Sequence, residues 1–250
     1  MPPELTHIAI LSDIHGNLPA LQTVLADCQA REVSKIYNLG DMAGKGPDGA
    51  EVIDLCQQAC HVNIFGNWDD IMVRENDHSR TWKWNRARLG TRRIDWLKNL
   101  PRVANLQLSG RRIRLFHASA QGIWQRHYPA DDPLPMFQNT DFTGYEQPQP
   151  DVVGYGDIHN AFVMPLFQPK NKTLFNAGSV GNSLDEPRAT YVILSGVPDA
   201  DWDAPFSIQI IRLSYDVDAV VARARALNMP RSDELEIELR QAIYRDHQNT

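Results

Sequence analysis

A chain of 250 residues with 42% hydrophobic and 22% charged residues has the length and composition of a globular α/β protein with a substantial core. Its formal net charge of -6 argues against a basic surface for long nucleic acid, but not against a small phosphorylated substrate, because carboxylates that hold divalent cations present a positive site. No apolar run approaches a membrane span and MPPELTHIAILSD lacks a basic stretch followed by a long apolar core, so no membrane partner and a cytoplasmic location are expected.

HIAILSD (7–13) reads as a buried strand, and LPALQTVLADCQA (18–30) has helical spacing of Leu18, Leu21, Val24, Leu25 and Cys28. KIYNLGD is a second strand, DGAEVIDLCQQAC a second helix and HVNIFGN a third strand. This βαβαβ order predicts a largely parallel sheet with ligands at the carboxyl ends of its strands. Residues 68–100 read as helical up to Pro101, with Trp82 and Trp84 packing a helix onto the core. ANLQLSGRRIRLFHAS reads as a hairpin turning at Ser109 and Gly110, its second strand ending at His117. Residues 120–150, rich in Pro, Gln and Asp, are expected to form a surface excursion acting as a lid. Strands resume at DVVGYGD, AFVMPLF, KTLFNAG, ATYVILS and SIQIIRLSY, and two amphipathic helices are expected within 215–247. The expectation is a single domain spanning 1–250. Cys28, Cys56 and Cys60 cannot pair completely and are read as reduced thiols; His7, His78 and His247 carry no partner signal.

Five strand ends carry residues able to bind metal: Asp13 and His15 in SDIHGN, Asp41 in LGDMAG, Asn67 in FGNWDD, His117 in FHAS, and Asp157 and His159 in YGDIHN. Taken singly, DxH, GD and GN are weak signals, most often turns or satisfied side chains. Their recurrence at successive strand ends, four of the five with a glycine beside or within the motif, is what points to a site. Hard oxygens and imidazoles are the donors that two neighbouring divalent ions need, ideally with one bridging carboxylate, for which Asp41 is the candidate.

DIH, GD, GNWD, FHAS and GDIH, in this order, together with NAGSVGNSLDEPRATYVIL, resemble the calcineurin-like metallophosphoesterases, closest to the small bacterial phosphodiesterase-like branch, over about residues 7–195. The resemblance implies a four-layer αββα sandwich of two mixed β-sheets flanked by helices, with two metal ions at its top edge. It implies that Asp13, His15, Asp41 and His159 hold one ion and Asp41, Asn67 and His117 the other, with Asp157 where the family usually has a histidine. Asp157 is read as a ligand for that second ion; the competing reading is that it only caps the turn. A second departure is Trp68, where phosphatases of the family often carry a histidine that protonates the leaving group; the proton would then come from water or another side chain, His127 or His61 being candidates that also read as structural, or be unneeded for good leaving groups. Asp69 is expected to orient a metal ligand without touching substrate.

The implied function is a dinuclear phosphoesterase in which a metal-bound water attacks a phosphodiester or phosphoanhydride, nucleotides included, with Mn or Fe the favoured ions and Mg, Zn or Ni the others. Asn17, Lys45 and Arg188 are the candidate substrate contacts. The rival readings are a phosphoprotein or small phosphomonoester phosphatase and, from another class, an inactive member that binds a ligand or a protein.

Overall fold

Strand β1 (Thr6–Leu11) alternates the two faces of a buried sheet: Ala9 and Leu11 point to one side, Ile8 and Ile10 to the other. The computed structural model describes residues 4–75 and 77–245. In it β1 pairs parallel with β2 (Lys35–Asn38) and β2 with β3 (Val62–Asn63), joined by α1 (Leu18–Ala30) and α2 (Gly49–Ala59), as the βαβαβ order predicts. The sheet is not purely parallel, because β9 (Ala189–Gly196) pairs antiparallel with the other edge of β1 and β10 (Phe206–Leu213) antiparallel with β9.

A second five-stranded sheet has the order β4 (Val103–Leu108), β5 (Arg111–Phe116), β6 (Val152–Tyr155), β8 (Thr173–Asn176), β7 (Phe162–Pro165). Here β5, β6 and β8 run parallel, while β4 and β7 are antiparallel edges. The two mixed sheets face one another across Ile8, Ile10, Leu115, Val152, Phe175 and Val192, and helices cover the outer face of the first. The fold class inferred from the resemblance is the one found.

The region read as helical over 68–100 holds two helices: α3 (Asn67–Val73), which ends where Arg74 turns extended, and α4 (Arg80–Lys98), which starts at a Ser79 cap. α4 is itself kinked at Gly90, whose φ of 68° has no place in a helix. Trp82 and Trp84 pack against neighbouring apolar clusters, as expected of helix-to-core packing. The 120–150 excursion holds a single 3-10 turn, Leu134–Phe137, and buries Met136 and Phe137 on the outer face of the second sheet, so part of the expected lid is a layer of the core. It is pinned by Arg114, fully buried, which donates to Asn105 Oδ1, Asn139 Oδ1 and the carbonyls of Gln138 and Pro148.

α5 (Val217–Ala226) and α6 (Ser232–Gln241) close the chain, and Ala242 at φ 56° ends α6. The tail beyond 245, with His247 and the end of the expected 215–247 helices, lies outside the described residues. Cys28 and Cys56 are buried thiols and Cys60 is partly buried; none is in a disulfide. His7 Nδ1 meets Ser195 Oγ at 2.8 Å, and His78 rests edge-on against Trp82. Among the described residues no helix is long and apolar enough to cross a membrane.

Candidate metal centre

Each chemistry-bearing residue follows the last residue of a strand or opens the helix after it, so the two sheets deliver them to one edge. Asp13 and His15 follow β1, Asp41 follows β2, Asn67 opens α3, His117 follows β5, and Asp157 and His159 follow β6. Five of these seven sit in left-handed backbone: Asp13 (φ 55°), His15 (50°), Asp41 (58°), Asp157 (63°) and His159 (58°). For residues with a Cβ this conformation costs roughly 1 kcal/mol or more each, and such strain gathers where geometry matters more than stability. The glycines beside them have a packing reason. A Cβ at Gly156 would collide with Ser12 Oγ and Asp13 Oδ2, and one at Gly66 with Asp41 Oδ1.

Two groups of ligand atoms are close enough to share an ion: Asp13, His15 and His159, and Asp13, Asp41 and His117. His159 Nε2 lies 3.2 Å from Asp13 Oδ1 and 3.1 Å from His15 Nε2; His117 Nε2 lies 3.4 Å from Asp41 Oδ1. Asp13 belongs to both groups, while Asp41 also reaches His15 at 3.7 Å, so both carboxylates stand between the two halves. Asp157 Oδ1 lies 3.8 Å from His117 Nε2 and accepts the Asn67 Nδ2 hydrogen bond at 2.6 Å, which leaves the Asn67 carbonyl oxygen as its donor toward a cation.

Three observations show that these residues fit divalent cations. Asp13 Oδ1 and His117 Nε2, both within the cluster, are buried with no hydrogen-bond partner, an arrangement that is expensive unless something else occupies those lone pairs. His117 and His159 donate Nδ1–H to the carbonyls of Leu39 (2.9 Å) and Asn182 (2.5 Å), which turns each Nε2 into the cluster as ligating imidazoles require. The third is electrostatic. Although burial opposes its charge, the carboxylates of Asp41, Asp13 and Asp157 raise the basicity of His117 well above the ordinary histidine value. Carboxylates gathered around buried imidazoles give the pocket the negative potential that a divalent ion needs.

Burial alone would raise the Asp13 carboxyl, but His159, His117 and His15 around it hold it well below the usual carboxylate range. Burial pushes Asp41 up and His15 down. Asp69, fully buried, accepts the backbone N–H groups of Asp41 (2.9 Å), Met42 (3.2 Å) and Gly66 (3.0 Å), and so ties the turn bearing Asp41 to the one bearing Asn67.

Of the expected substrate contacts only Lys45 faces the centre. A cavity of about 260 Å³ opens onto Asp41, Asn67, Asp157 and His159 and is walled by Lys45, Trp68, Arg126, Tyr128 and Tyr244. Lys45, 5% exposed, donates Nζ to Asn182 Oδ1 (2.9 Å), and burial lowers its pKa to about 8. Asn17 is not a substrate contact: it is buried, its Oδ1 caps α1 by accepting Ala20 N–H and its Nδ2 donates to the Gly181 carbonyl. Arg188 is half-exposed on Glu186 (2.9 Å) and lies outside the cavity. His61, exposed at the edge of Tyr37, and His127, buried against Tyr155, are also outside it.

Sequence reasoning missed Arg126, whose Nε donates to Asp157 Oδ2 at 3.2 Å. The available signal was that Arg126 is the one Lys or Arg between Arg114 and Lys170. It also missed Asn182, which accepts from Lys45, donates to Glu238 Oε2 (3.2 Å) and anchors His159 through its carbonyl.

A sequence model of the calcineurin-like phosphoesterase superfamily domain matches residues 7–197. An uncharacterized protein of Methanocaldococcus jannaschii is 28% identical over 238 residues, covering 84% of this chain and 88% of its own. The crystal structure of a metallophosphoesterase from Sphaerobacter thermophilus is similar with a TM-score of 0.76 at 24% identity, covering 95% of this chain and 99% of that one. A hypothetical protein from Pyrococcus horikoshii is similar with a TM-score of 0.75 at 17% identity, covering 96% of this chain and 99% of that one; both likenesses are of fold.

Proposed function

The chain belongs to the calcineurin-like phosphoesterase superfamily, and on that premise we propose that it hydrolyses phosphodiesters or phosphoanhydrides, nucleotides among them, with two divalent ions. The observation that carries this reading is the convergence of Asp13, His15, Asp41, His117 and His159 on one buried point, with lone pairs left unpartnered. Asp13, His15 and His159 would hold one ion and Asp41, Asn67, His117 and Asp157 the second, with the Asp13 and Asp41 carboxylates standing between the two. The mixed oxygen and imidazole donors suit Mn²⁺ or Fe²⁺. Bound there, the ions supply Lewis-acid polarisation of phosphoryl oxygens and activation of water.

The chain's own groups do the rest. The Leu39 and Asn182 carbonyls fix the imidazole planes, and Asp69 fixes the spacing of the Asp41 and Asn67 turns. Lys45 puts a fixed positive charge on the cavity wall. The Trp68 indole, on the same wall, is no proton donor for a departing alkoxide, which favours substrates whose leaving group departs as a stable anion. Free thiols at Cys28, Cys56 and Cys60 support a cytoplasmic setting.

A second reading, an inactive binding member, is favoured by one observation: the Asp157 carboxylate is engaged by Asn67 and Arg126. One titration separates the two. Metal-depleted protein is titrated with Mn²⁺ while hydrolysis of bis(4-nitrophenyl) phosphate is followed, with Asp157→His in parallel. Activity rising to a plateau near two equivalents is the expected outcome. Silence at every Mn²⁺ level, with activity gained by Asp157→His, would show that the second metal site is broken and overturn the hydrolase reading.

A further inference from the structure

The cavity over the metal centre carries more than a simple diester can use. A phosphodiester has a single negative charge, yet beside the cation cluster the walls present two basic side chains, Lys45 and Arg126. They are held differently. Lys45 is buried and fixed by Asn182, whereas Arg126 is 47% exposed and rests on Asp157 with Nε 3.2 Å and 3.4 Å from its two oxygens. A half-exposed guanidinium can turn from a carboxylate to a phosphate at little cost, since both accept the same planar fork of donors. The same walls are aromatic: Trp68, Tyr128 and Tyr244 line the cavity, and Tyr128 is 49% exposed. Lys45 Nζ lies 5.8 Å from the Trp68 ring and 5.3 Å from the Tyr244 ring, so an anion held by Lys45 sits beside two ring surfaces. Cations beyond the metal cluster call for phosphate beyond the scissile group, and neighbouring rings call for a planar base to stack on them.

Building on the phosphoesterase reading, we infer that the substrate is a nucleoside polyphosphate, with Lys45 and Arg126 binding phosphates other than the one attacked and Tyr128 beside the base. The reaction balances without a further reactant. Water oxygen bonds to the attacked phosphorus, the bridging oxygen leaves with the P–O electron pair on the second phosphate, and the water proton passes to solvent. A departing phosphate needs no acid, which suits a wall where Trp68 stands.

The test uses the full chain loaded with Mn²⁺ and two kinds of readout. By calorimetry, the β,γ-methylene analogue of ATP binds the wild type, and Arg126→Ala and Lys45→Ala each weaken it about tenfold. Tyr128→Ala weakens the analogue at least fivefold more than it weakens inorganic tripolyphosphate, which separates base from phosphate. In steady-state kinetics, Arg126→Ala lowers kcat/KM for ATP about tenfold more than for bis(4-nitrophenyl) phosphate. Equal losses on both substrates, or analogue binding indifferent to Arg126, would overturn the inference. A wild type that hydrolyses neither substrate but binds the analogue through Arg126 would overturn the phosphoesterase reading and leave the nucleotide site standing.

Discussion

His159 is held from behind by a chain of buried partners: its Nδ1 donates to the Asn182 carbonyl, Asn182 donates to Glu238, and Glu238 pairs with Arg245. Asp157, two residues earlier, has neighbours of another kind, the Asn67 amide and a half-exposed arginine from the 120–150 segment. His159 is thus braced by the core and the C-terminal segment, whereas in the other half, where buried groups fix His117 and the Asp41 and Asn67 turns, Asp157 alone rests on a half-exposed side chain able to exchange partners. The braced half should bind its ion whatever the other does, while affinity and selectivity are adjusted around Asp157.

Removing the carboxylate common to both halves would break the comparison altogether. Asp13→Ala is expected to abolish binding of both ions and lower phosphodiester hydrolysis about 10³-fold, equivalent to several kcal/mol of transition-state stabilisation. Elemental analysis of bound Mn²⁺ with steady-state rates measures this, and activity within tenfold of wild type would refute it. The halves separate in Asp157→Ala, where Mn²⁺ stoichiometry should fall from two to one, with the vacated site weakened about 10–100-fold and the other ion nearly unaffected. Calorimetric titration decides; loss of both ions together would show that the halves are not independent.

Asp69 joins two ligand turns without belonging to either half. Asp69→Ala leaves three backbone N–H groups without an acceptor and should cost about 2 kcal/mol in urea unfolding. A change under about 0.5 kcal/mol, the level of an ordinary surface substitution, would count against it.

The smallest effect concerns the brace. Burial would raise the Glu238 carboxyl, but hydrogen bonds and charge from Arg245, with Lys45 nearby, bring it below the ordinary glutamate value. A depressed carboxyl contributes stability that is complete above its unfolded pKa, about 4.5, and lost as pH falls through the lower folded value. Wild type should therefore lose more stability than Glu238→Gln as the pH falls below about 4.5, measured by urea unfolding of both proteins. Parallel pH dependences in the two proteins would remove Glu238 from the brace.

The positions that converge on the candidate metal centre were legible because each follows an apolar strand and most adjoin a glycine, a local pattern that survives without knowledge of the fold. Arg126 was legible only as the lone basic residue of its stretch. Its partner was not, because it reaches Asp157 from 31 residues away through a segment with no periodicity. Glu238 and Asn182 meet across 56 residues and read alone as a helix surface and a loop. The misreading of Asn17 was avoidable, since Asn before Leu-Pro at the start of a helical pattern is a capping signal, and capping consumes the side chain. The break between α3 and α4 was hidden because helical composition continues on either side of Ser79.

The 120–150 segment connects β5 to β6, neighbouring parallel strands whose ends carry His117 and Asp157. Its hold on the protein is Arg114 and the buried Met136 and Phe137, all on the outer face of the second sheet, while its reach into the cavity is Arg126 and Tyr128. On the proposed reading, the candidate metal ligands lie on the strand-end turns while two of the groups that would meet the substrate, Arg126 and Tyr128, lie on one crossover. Rewriting that crossover would then alter part of the recognition wall and leave the strained turns in place.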